Sequence, residues 1–273
     1  LALLYTMHDP KYNWKYYSEP EPHLNNRRLF CPRGKMIGGC SAHNGMVFVR
    51  GNRNDYERWE NFGLKSWSYE KVLPYFKKIE TWSGGENQYR GSLGPLPVNQ
   101  SKNDNPLFKA FINSASEAGH TVNPDMNGEE QEGFGMFDTT IHEGQRASAT
   151  KYYLNPAKKR KNLNIFSNSF VEKIIFEGKK AIGIEVKIKN KVEKVYAEKE
   201  VILSGGSINS PQLLMLSGVG NSDHLREKGI DVVSDIKGVG KNLQDHLETY
   251  IMQECKTPDT LYTYTKLIPK VMA

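Results

Sequence analysis

The sequence predicts a mixed α/β (α+β) fold, chiefly from two segments in its second half. Residues 181–189 alternate apolar and polar side chains, which is typical of a strand with one buried face. Val201–Leu203 are consecutive apolar residues, which favours a strand buried on both faces, as in a parallel sheet. A glycine pair at 205–206 follows, and Ser210-Pro211 is a typical helix start. A buried strand, a glycine turn and a helix in this order are typical of a dinucleotide-binding domain.

The alternating segment belongs to a predicted antiparallel meander. Turn-forming residues at 177–180 and at Asn190 separate runs rich in β-branched side chains. The pattern predicts strands at 164–167, 170–176, 181–189 and 192–197. Their apolar faces can pack on one side of the small sheet.

Helix-capping residues precede three apolar stripes in the first half of the chain. Asn54 or Asp55 is predicted to cap a short helix that runs through Trp59. Ser68 is predicted to cap a second helix that ends near Ile79.

The third helix is predicted from Asn105 followed by Pro106, because proline is favoured at the first helical position. Gly119 is expected to close this helix. Its apolar residues recur on one face, which predicts that this face belongs to the core: Leu107, Phe108, Phe111, Ile112 and Ala115.

Composition and charge exclude several classes of protein. The chain has 273 residues, of which 38% are hydrophobic, so it can bury a substantial core. The net charge of +6 is spread over short patches, and the densest basic run, 158–161, is interpreted as a solvated turn. No nucleic-acid-binding motif accompanies that run, so we expect no nucleic-acid partner. No apolar run is long enough to cross a bilayer, so we expect no membrane span.

Cysteine usage does not identify a compartment or a metal site. The three cysteines, Cys31, Cys40 and Cys255, lack metal-ligand spacing, and their odd number cannot pair fully within the chain. We therefore predict no metal ligands. The chain opens with Leu1 and without a signal-peptide pattern. The sequon Asn99-Gln100-Ser101 is the one pointer to a secretory route, so an extracellular location is suspected.

Two glycine-rich segments are candidate ligand loops. The stretch from Gly38 to Met46 concentrates small and polar residues, which would allow a planar ligand to approach the backbone closely; a simple flexible loop is the alternative. The turn at 204–211 could present helix N–H groups to a phosphate, or could be an ordinary strand–helix connection. A complete GxGxxG is absent from the sequence.

Taken together, these two segments resemble both signatures of the glucose–methanol–choline (GMC) oxidoreductases. The first signature is matched by GKMIGGCS at 34–41 with Asn44, Met46 and Arg50-Gly51. The second is matched by GSINSPQLL at 206–214 with SGVG at 217–220. Further matches are Asp55-Tyr56, Trp59, WSY at 67–69, LPYF at 73–76 and GKNLQDH at 240–246. The resemblance covers nearly the whole chain and is closest to the insect glucose-dehydrogenase-like branch.

The resemblance implies an FAD-binding, Rossmann-like domain interleaved with a substrate domain built on an antiparallel sheet. Both domains would be incomplete, because the family's initial GxGxxG element and its carboxyl-terminal part have no counterpart here. The implied segments are 1–61 for flavin wrapping, 62–160 for the substrate domain, 161–246 for the FAD domain and 247–273 for a second substrate-domain portion. The chain is therefore expected to be part of a longer protein.

The resemblance also implies the residues that contact the cofactor. The loop residues Gly38, Gly39, Cys40, Ser41, His43, Asn44, Gly45 and Val47 would wrap FAD. Cys40 would stand where a serine often contacts the phosphates, and Asn44, Gly45 and Val47 would lie beside the isoalloxazine ring. Val171 would meet the adenine through its backbone.

His43 carries two alternative hypotheses. The choline-oxidising branch can have a histidine in a similar context, where the imidazole bonds covalently to the 8α carbon of the flavin. A neutral ring nitrogen is a competent nucleophile for such a bond. The alternative is a loop histidine that hydrogen-bonds locally.

The implied activity is FAD-dependent oxidation of the CH–OH group of an alcohol or sugar, with oxygen or a quinone as electron acceptor. The family's catalytic His-His or His-Asn pair has no counterpart before Ala273, so no catalytic residue is predicted within this chain. His246 is interpreted as structural. A non-catalytic or truncated family member is the main alternative, and a lyase acting on cyanohydrins is a third possibility.

Overall fold

The computed structural model describes residues 6–101 and 104–256, and these fall into two compact units. The first unit includes the chain up to Leu163, and the second comprises Asn164–Gln253. Each unit combines helices with small sheets, which confirms the predicted mixed α/β class. Among the described residues, no helix is long and apolar enough to span a membrane.

The first unit contains short strands and four labelled helices. Its strands are β1 Tyr16–Tyr17, β2 Phe30–Cys31, β3 Val47–Phe48, β4 Glu80–Trp82, β5 Leu96–Gln100, β6 Asp138–Thr139, β7 Ile141–His142 and β8 Gln145–Arg146. Its helices are α1 Arg53–Asn61, α2 Tyr69–Ile79, α3 Pro106–Glu117 and α4 Asn155–Ala157.

A four-stranded sheet in the order β3-β6-β5-β4 organises this unit. Strands β3, β6 and β5 pair antiparallel, whereas β4 and β5 are parallel. Val98 and Trp82 on the sheet and Tyr69 and Val72 on α2 form its buried apolar core. The sheet thus joins β3, which directly follows the glycine-rich loop, to strands that lie between residues 80 and 139.

The helices begin close to their predicted caps, with two corrections. Asn52 caps α1 by accepting a hydrogen bond from the backbone N–H of Asn54, so the cap lies before the predicted Asn54 or Asp55. Ser68 precedes α2 as predicted, but its side chain makes no capping hydrogen bond. Asn105 caps α3 as predicted, accepting from the backbone N–H of Leu107 at 2.8 Å.

The prediction that the apolar face of α3 is core is wrong. Only Ala115 is buried, whereas the side chains of Leu107, Phe108 and Phe111 are 37%, 40% and 57% exposed. The face borders an open cavity and is not covered by another layer among the described residues. Helical periodicity therefore located the apolar face correctly but not its burial.

The sequon lies in a strand, not in a free loop. Asn99 belongs to β5, and its side-chain amide donates a hydrogen bond to the carbonyl of Ile141.

In the second unit, the strands are β9 Ser169–Glu177, β10 Lys180–Ile188, β11 Lys191–Tyr196, β12 Val219–Gly220 and β13 Ser234–Asp235. Its helices are α5 Gly206–Leu216 and α6 Ser222–Glu227. Strands β9, β10 and β11 form the predicted antiparallel meander. Ser217 joins it to α5, because its hydroxyl accepts from the backbone N–H of Ile174 at 2.8 Å.

Three predictions in this unit are wrong in detail. Residues 164–167 do not form a strand. Val201–Leu203 is not assigned to a sheet, and the side chain of Ile202 is 75% exposed, because no described strand lies alongside to accept it. Helix α5 begins at Gly206, so Pro211 lies inside it and does not mark its start.

Candidate functional site

The glycine-rich loop folds as a tight turn whose geometry demands glycine. Gly38 and Gly39 have φ values of 93° and 53°, in the left-handed region that other residues rarely adopt. A Cβ atom on Gly38 would overlap the hydroxyl of Thr150. A 3₁₀ turn over Gly39–Ala42 follows. The loop backbone can therefore come close to other groups where side chains would prevent it.

Ser41 fixes this turn from inside. Its hydroxyl donates to the carbonyl of Gly38 at 2.6 Å and accepts from the backbone N–H of Ala149 at 2.9 Å. The second bond ties the loop to the residues just before a π-helical turn at Thr150–Leu154. Ser41 thus serves as a structural part of the predicted binding loop.

Asn44 is held by Arg146 of β8. One guanidinium nitrogen of Arg146 donates to both the side-chain and the backbone oxygen of Asn44, each at 2.7 Å. The side-chain oxygen also accepts from the backbone N–H of Met46 at 3.2 Å. Met46 has a φ of 63°, so the chain turns sharply where the loop enters β3.

His43 is buried without a hydrogen-bond partner. Its side chain is 6% exposed, and neither ring nitrogen has a partner among the described residues. Burial lowers the pKa of His43, and the positive charges of Arg146 and Arg33 lower that pKa further. The imidazole is therefore neutral at pH 7. The hypothesis of a locally hydrogen-bonded histidine does not match this geometry.

The remaining predicted contacts occupy different positions. Cys40 is exposed, and its sulfur accepts from the backbone N–H of Gly34 at 3.4 Å. Gly45 faces open space. Val47 lies in β3 and is 51% exposed. Val171 lies in β9, paired with Val186, and so belongs to the second unit.

An open cavity of about 980 Å³ borders Val47. Phe108, Phe111 and Ile112 of α3 line one part of it, and Phe137 lines another. The other lining residues are Ser83, Asn99, Gln100, Ser101, Gly135, Met136, Thr139, Ile141 and Gly144. No charged side chain is among the lining residues, so the wall combines aromatic rings with a few neutral polar groups.

The first unit contains a buried charge cluster, which includes residues of β4 and β6. We define it as Arg50, Glu80, Arg90, Asp125 and Asp138. Arg90 bonds to both oxygens of Glu80, at 2.9 and 3.2 Å, and to Asp125 and Asp138 at 2.5 and 2.8 Å. Arg50 bonds to Glu80 at 2.7 Å. Desolvation opposes the charge of Arg90, but hydrogen bonds and the negative charges around it raise its pKa overall. The cluster thus keeps its charges paired inside the unit.

Two observations indicate that the residues of this loop fit a flavin nucleotide. Within the described part of the chain, the hydroxyl of Thr150 is buried without a partner, like the ring of His43, so two side chains at this loop retain unused hydrogen-bonding groups. Arg33 and Arg146 lie close enough to influence the charge of His43, which makes this region favourable for phosphate groups. The residues that would hold the cofactor are the 38–47 loop with Thr150 and these two arginines.

Sequence reasoning missed Arg33, Arg146 and Thr150. Arg146 and Thr150 lie in the region 120–150. Its many turn-forming residues give no helix or strand pattern from which a site could be predicted. The available signal was the run Ala-Ser-Ala at 147–149, between Arg146 and Thr150. Such small side chains allow another backbone segment to come close.

The fold around this loop is shared with solved FAD-dependent oxidoreductases. The chain belongs to the GMC oxidoreductase family, whose model matches residues 8–248. The predicted family is thereby confirmed.

Curated relatives similar to this chain include choline dehydrogenases. The oxygen-dependent choline dehydrogenase of Brucella ovis is 50% identical over 98% of this chain and 49% of its own length. The mitochondrial choline dehydrogenase of Homo sapiens is 49% identical over 99% of this chain and 46% of its own. The chain thus spans about half the length of these curated relatives. Neither supports the predicted insect glucose-dehydrogenase-like branch.

Solved structures give the same class. An FAD-dependent oxidoreductase from Chaetomium thermophilum matches with a TM-score of 0.80 and 33% identity, over 87% of this chain and 44% of its own. Pyridoxine 4-oxidase from Mesorbium loti matches with a TM-score of 0.78 and 30% identity, over 83% and 45%. These neighbours confirm the predicted fold, and FAD as the cofactor of the class.

Proposed function

We propose that the full-length protein containing this chain is an FAD-dependent alcohol dehydrogenase or oxidase whose substrate is choline or a similar alcohol with a quaternary ammonium group. The observation that carries this proposal is the identity of 50% to choline dehydrogenase over nearly the whole chain. The sequence alone favoured an alcohol or sugar, and the sugar-oxidising insect branch remains its weaker prediction.

The cavity beside Val47 supports a substrate of this kind. The rings of Phe108, Phe111 and Phe137 line a wall without charged side chains. Aromatic faces attract quaternary ammonium groups, by about 0.5–2 kcal/mol per contact. The polar side chains in this wall are neutral hydroxyls and amides, which could hydrogen-bond the hydroxyl group of such an alcohol.

The chain's own residues would hold and orient the cofactor. FAD supplies the chemistry by accepting a hydride from the alcohol carbon. Arg33 and Arg146 provide positive charge for the phosphates, and Ser41 keeps the turn closed so that the backbone can approach. Val47 would form part of the surface beside the flavin ring. The residue that removes the hydroxyl proton is proposed to lie outside this chain.

The test compares choline with 3,3-dimethyl-1-butanol, in which carbon replaces the ammonium nitrogen, and with glucose. The full-length protein should show a kcat/KM for choline at least about tenfold above that for the neutral analogue, as one or two cation–π contacts would give. Equal values for both alcohols would contradict ammonium recognition, and oxidation of glucose alone would favour the insect branch. A protein that binds FAD but oxidises none of them would favour the non-catalytic alternative. Peroxide formation and quinone reduction, measured in parallel, identify the electron acceptor.

A further inference from the structure

Strand β3, which carries Val47, is held by very little backbone pairing. It has only two residues, which pair with Thr139 and Asp138 of β6. The backbone N–H of Thr140 adds one hydrogen bond to the carbonyl of Met46 at 2.8 Å. Beyond Phe48 the chain leaves the ladder, so other groups must fix its path.

The side chain of Asn127 supplies that fixation. Its amide nitrogen donates to the carbonyl of Phe48 at 3.1 Å, and its oxygen accepts from the backbone N–H of Arg50 at 2.8 Å. One side chain thus bonds to the backbone on both sides of residue 49, in the manner of a neighbouring strand.

Asn127 is itself held in one orientation. It is buried, with 4% exposure, and its backbone N–H donates to the carboxylate of Asp125 at 3.0 Å. Its amide nitrogen also lies 3.3 Å from a carboxylate oxygen of Asp138. Because both acids belong to the buried charge cluster, the amide cannot rotate without leaving a buried polar group unpaired.

Gln131 makes similar hydrogen bonds to the next part of the segment that follows β3. Its amide nitrogen donates to the carbonyl of Arg50 at 2.8 Å, and its oxygen accepts from the side chain of Asn52 at 3.1 Å. Two amide side chains from the segment 127–131 therefore take the place of a ladder partner for the residues that follow β3.

We infer that Asn127 is a positioning residue for the flavin: it fixes β3, and through β3 it fixes Val47 and the end of the 38–47 loop. This inference rests on the proposed function, because it takes the loop to be the FAD site. Asn127 need not touch the cofactor. Loss of the hydrogen bonds from Asn127 would let β3 shift. A shift of about 1 Å at a positioned group is enough to disturb catalysis.

The test is Asn127→Asp in the full-length holoprotein. Aspartate keeps the acceptor for the N–H of Arg50 but removes the donor to Phe48. We expect a shifted flavin absorption spectrum and midpoint potential, and a kcat about tenfold lower with little change in KM.

Asn123→Asp is the matched control. Asn123 is also buried, with 7% exposure, but its amide donates to the carbonyls of Glu130 and Glu132 and not to β3. This variant should lower the thermal unfolding midpoint while the spectrum and potential of the flavin stay as in the wild type.

The outcomes separate the inference from the proposed function. If both variants leave the flavin spectrum, the midpoint potential and kcat unchanged, or change them equally, Asn127 has only a structural role and the inference fails. If Asn127→Asp does not fold, Gln131→Glu, which removes the donor to Arg50 in the same way, takes its place with the same expected shifts. A wild-type protein that binds no FAD would overturn the proposed function itself.

Discussion

His43 is the residue whose environment points most directly at the cofactor. Both ring nitrogens are buried and lack a partner among the described residues, so the imidazole keeps a free lone pair. Burial lowers the pKa of His43, and the charges of Arg146 and Arg33 lower it further, so the ring stays unprotonated, as a nucleophile must be. In the covalent hypothesis, a ring nitrogen of His43 would bond to the 8α carbon of the flavin, one proton would leave that carbon and one the imidazole, and the two electrons left on the flavin would pass to the electron acceptor.

This hypothesis predicts that acid precipitation of the full-length holoprotein leaves yellow flavin attached to the polypeptide. His43→Ala should release all of the flavin into the supernatant, because the only proposed attachment atom is removed. His142→Ala is the control, since that imidazole lies on β7 with 44% of its side chain exposed and should not affect retention. A colourless wild-type pellet would exclude the covalent bond and leave a non-covalent FAD site.

The lowered pKa of His43 also predicts a pH dependence of stability. In the unfolded chain the imidazole takes up a proton below its ordinary pKa of 6.5, whereas in the fold it resists protonation until a lower pH. The unfolded state therefore binds more protons in that window, and the free energy of unfolding decreases as the pH falls below 6.5.

Thermal unfolding midpoints of the full-length protein at about pH 5 and about pH 8 test this. His43→Ala should show a smaller loss between the two pH values than the wild type. An equal loss in both proteins would mean that other groups cause it.

At the scale of elements, the buried charge cluster joins β4, β6 and the segment after β3. Glu80→Gln would remove the charge that compensates the buried Arg50, whereas Arg90 would keep Asp125 and Asp138 as partners. Leaving a buried charge uncompensated costs about 3–5 kcal/mol. We expect a correspondingly large decrease in the free energy of unfolding, measured with urea.

Glu57→Gln is the matched control for this substitution. The carboxylate of Glu57 pairs with Arg53 at 2.9 Å on the surface, and both side chains are about half exposed. Such a pair contributes about 0–1 kcal/mol. If the two substitutions had equal effects, the cluster would contribute no more than a surface ion pair.

The sequence predicted elements whose formation depends on local chemistry. Asn105 caps α3, and the turn at 178–179 joins two alternating strands, because capping and turn preferences act within a few residues. Prediction from the sequence failed where burial or strand pairing depends on residues far away in the chain. The apolar face of α3 lines a cavity, and Val201–Leu203 is not part of a sheet among the described residues. The site divides in the same way. The glycines at 38 and 39 were predictable from their residue type, whereas Arg146 reaches Asn44 across about a hundred residues and left no local pattern.

At the scale of the whole molecule, apolar surface remains uncovered in both units. Phe111 is 57% exposed on α3, and Ile202 is 75% exposed in a run typical of a buried parallel strand. Burying one such side chain contributes about 1.5–3 kcal/mol, which is a large fraction of a domain's net stability of about 5–15 kcal/mol. The relatives are about twice as long as this chain, so the full-length protein has further sequence available to cover these surfaces.

We therefore predict that residues 1–273 produced alone bind FAD weakly and unfold without a sharp transition, whereas the full-length protein retains FAD and unfolds cooperatively. Differential scanning calorimetry and flavin retention after gel filtration measure both properties. In the isolated chain, Phe111→Ser should reduce aggregation, because it removes an exposed apolar group. In a full-length protein that covers this face of α3, the same substitution should lower the unfolding midpoint. A cooperative transition with bound flavin in the isolated chain would show that the two units need no further cover, and a neutral effect of Phe111→Ser in the full-length protein would show that α3 keeps its open cavity.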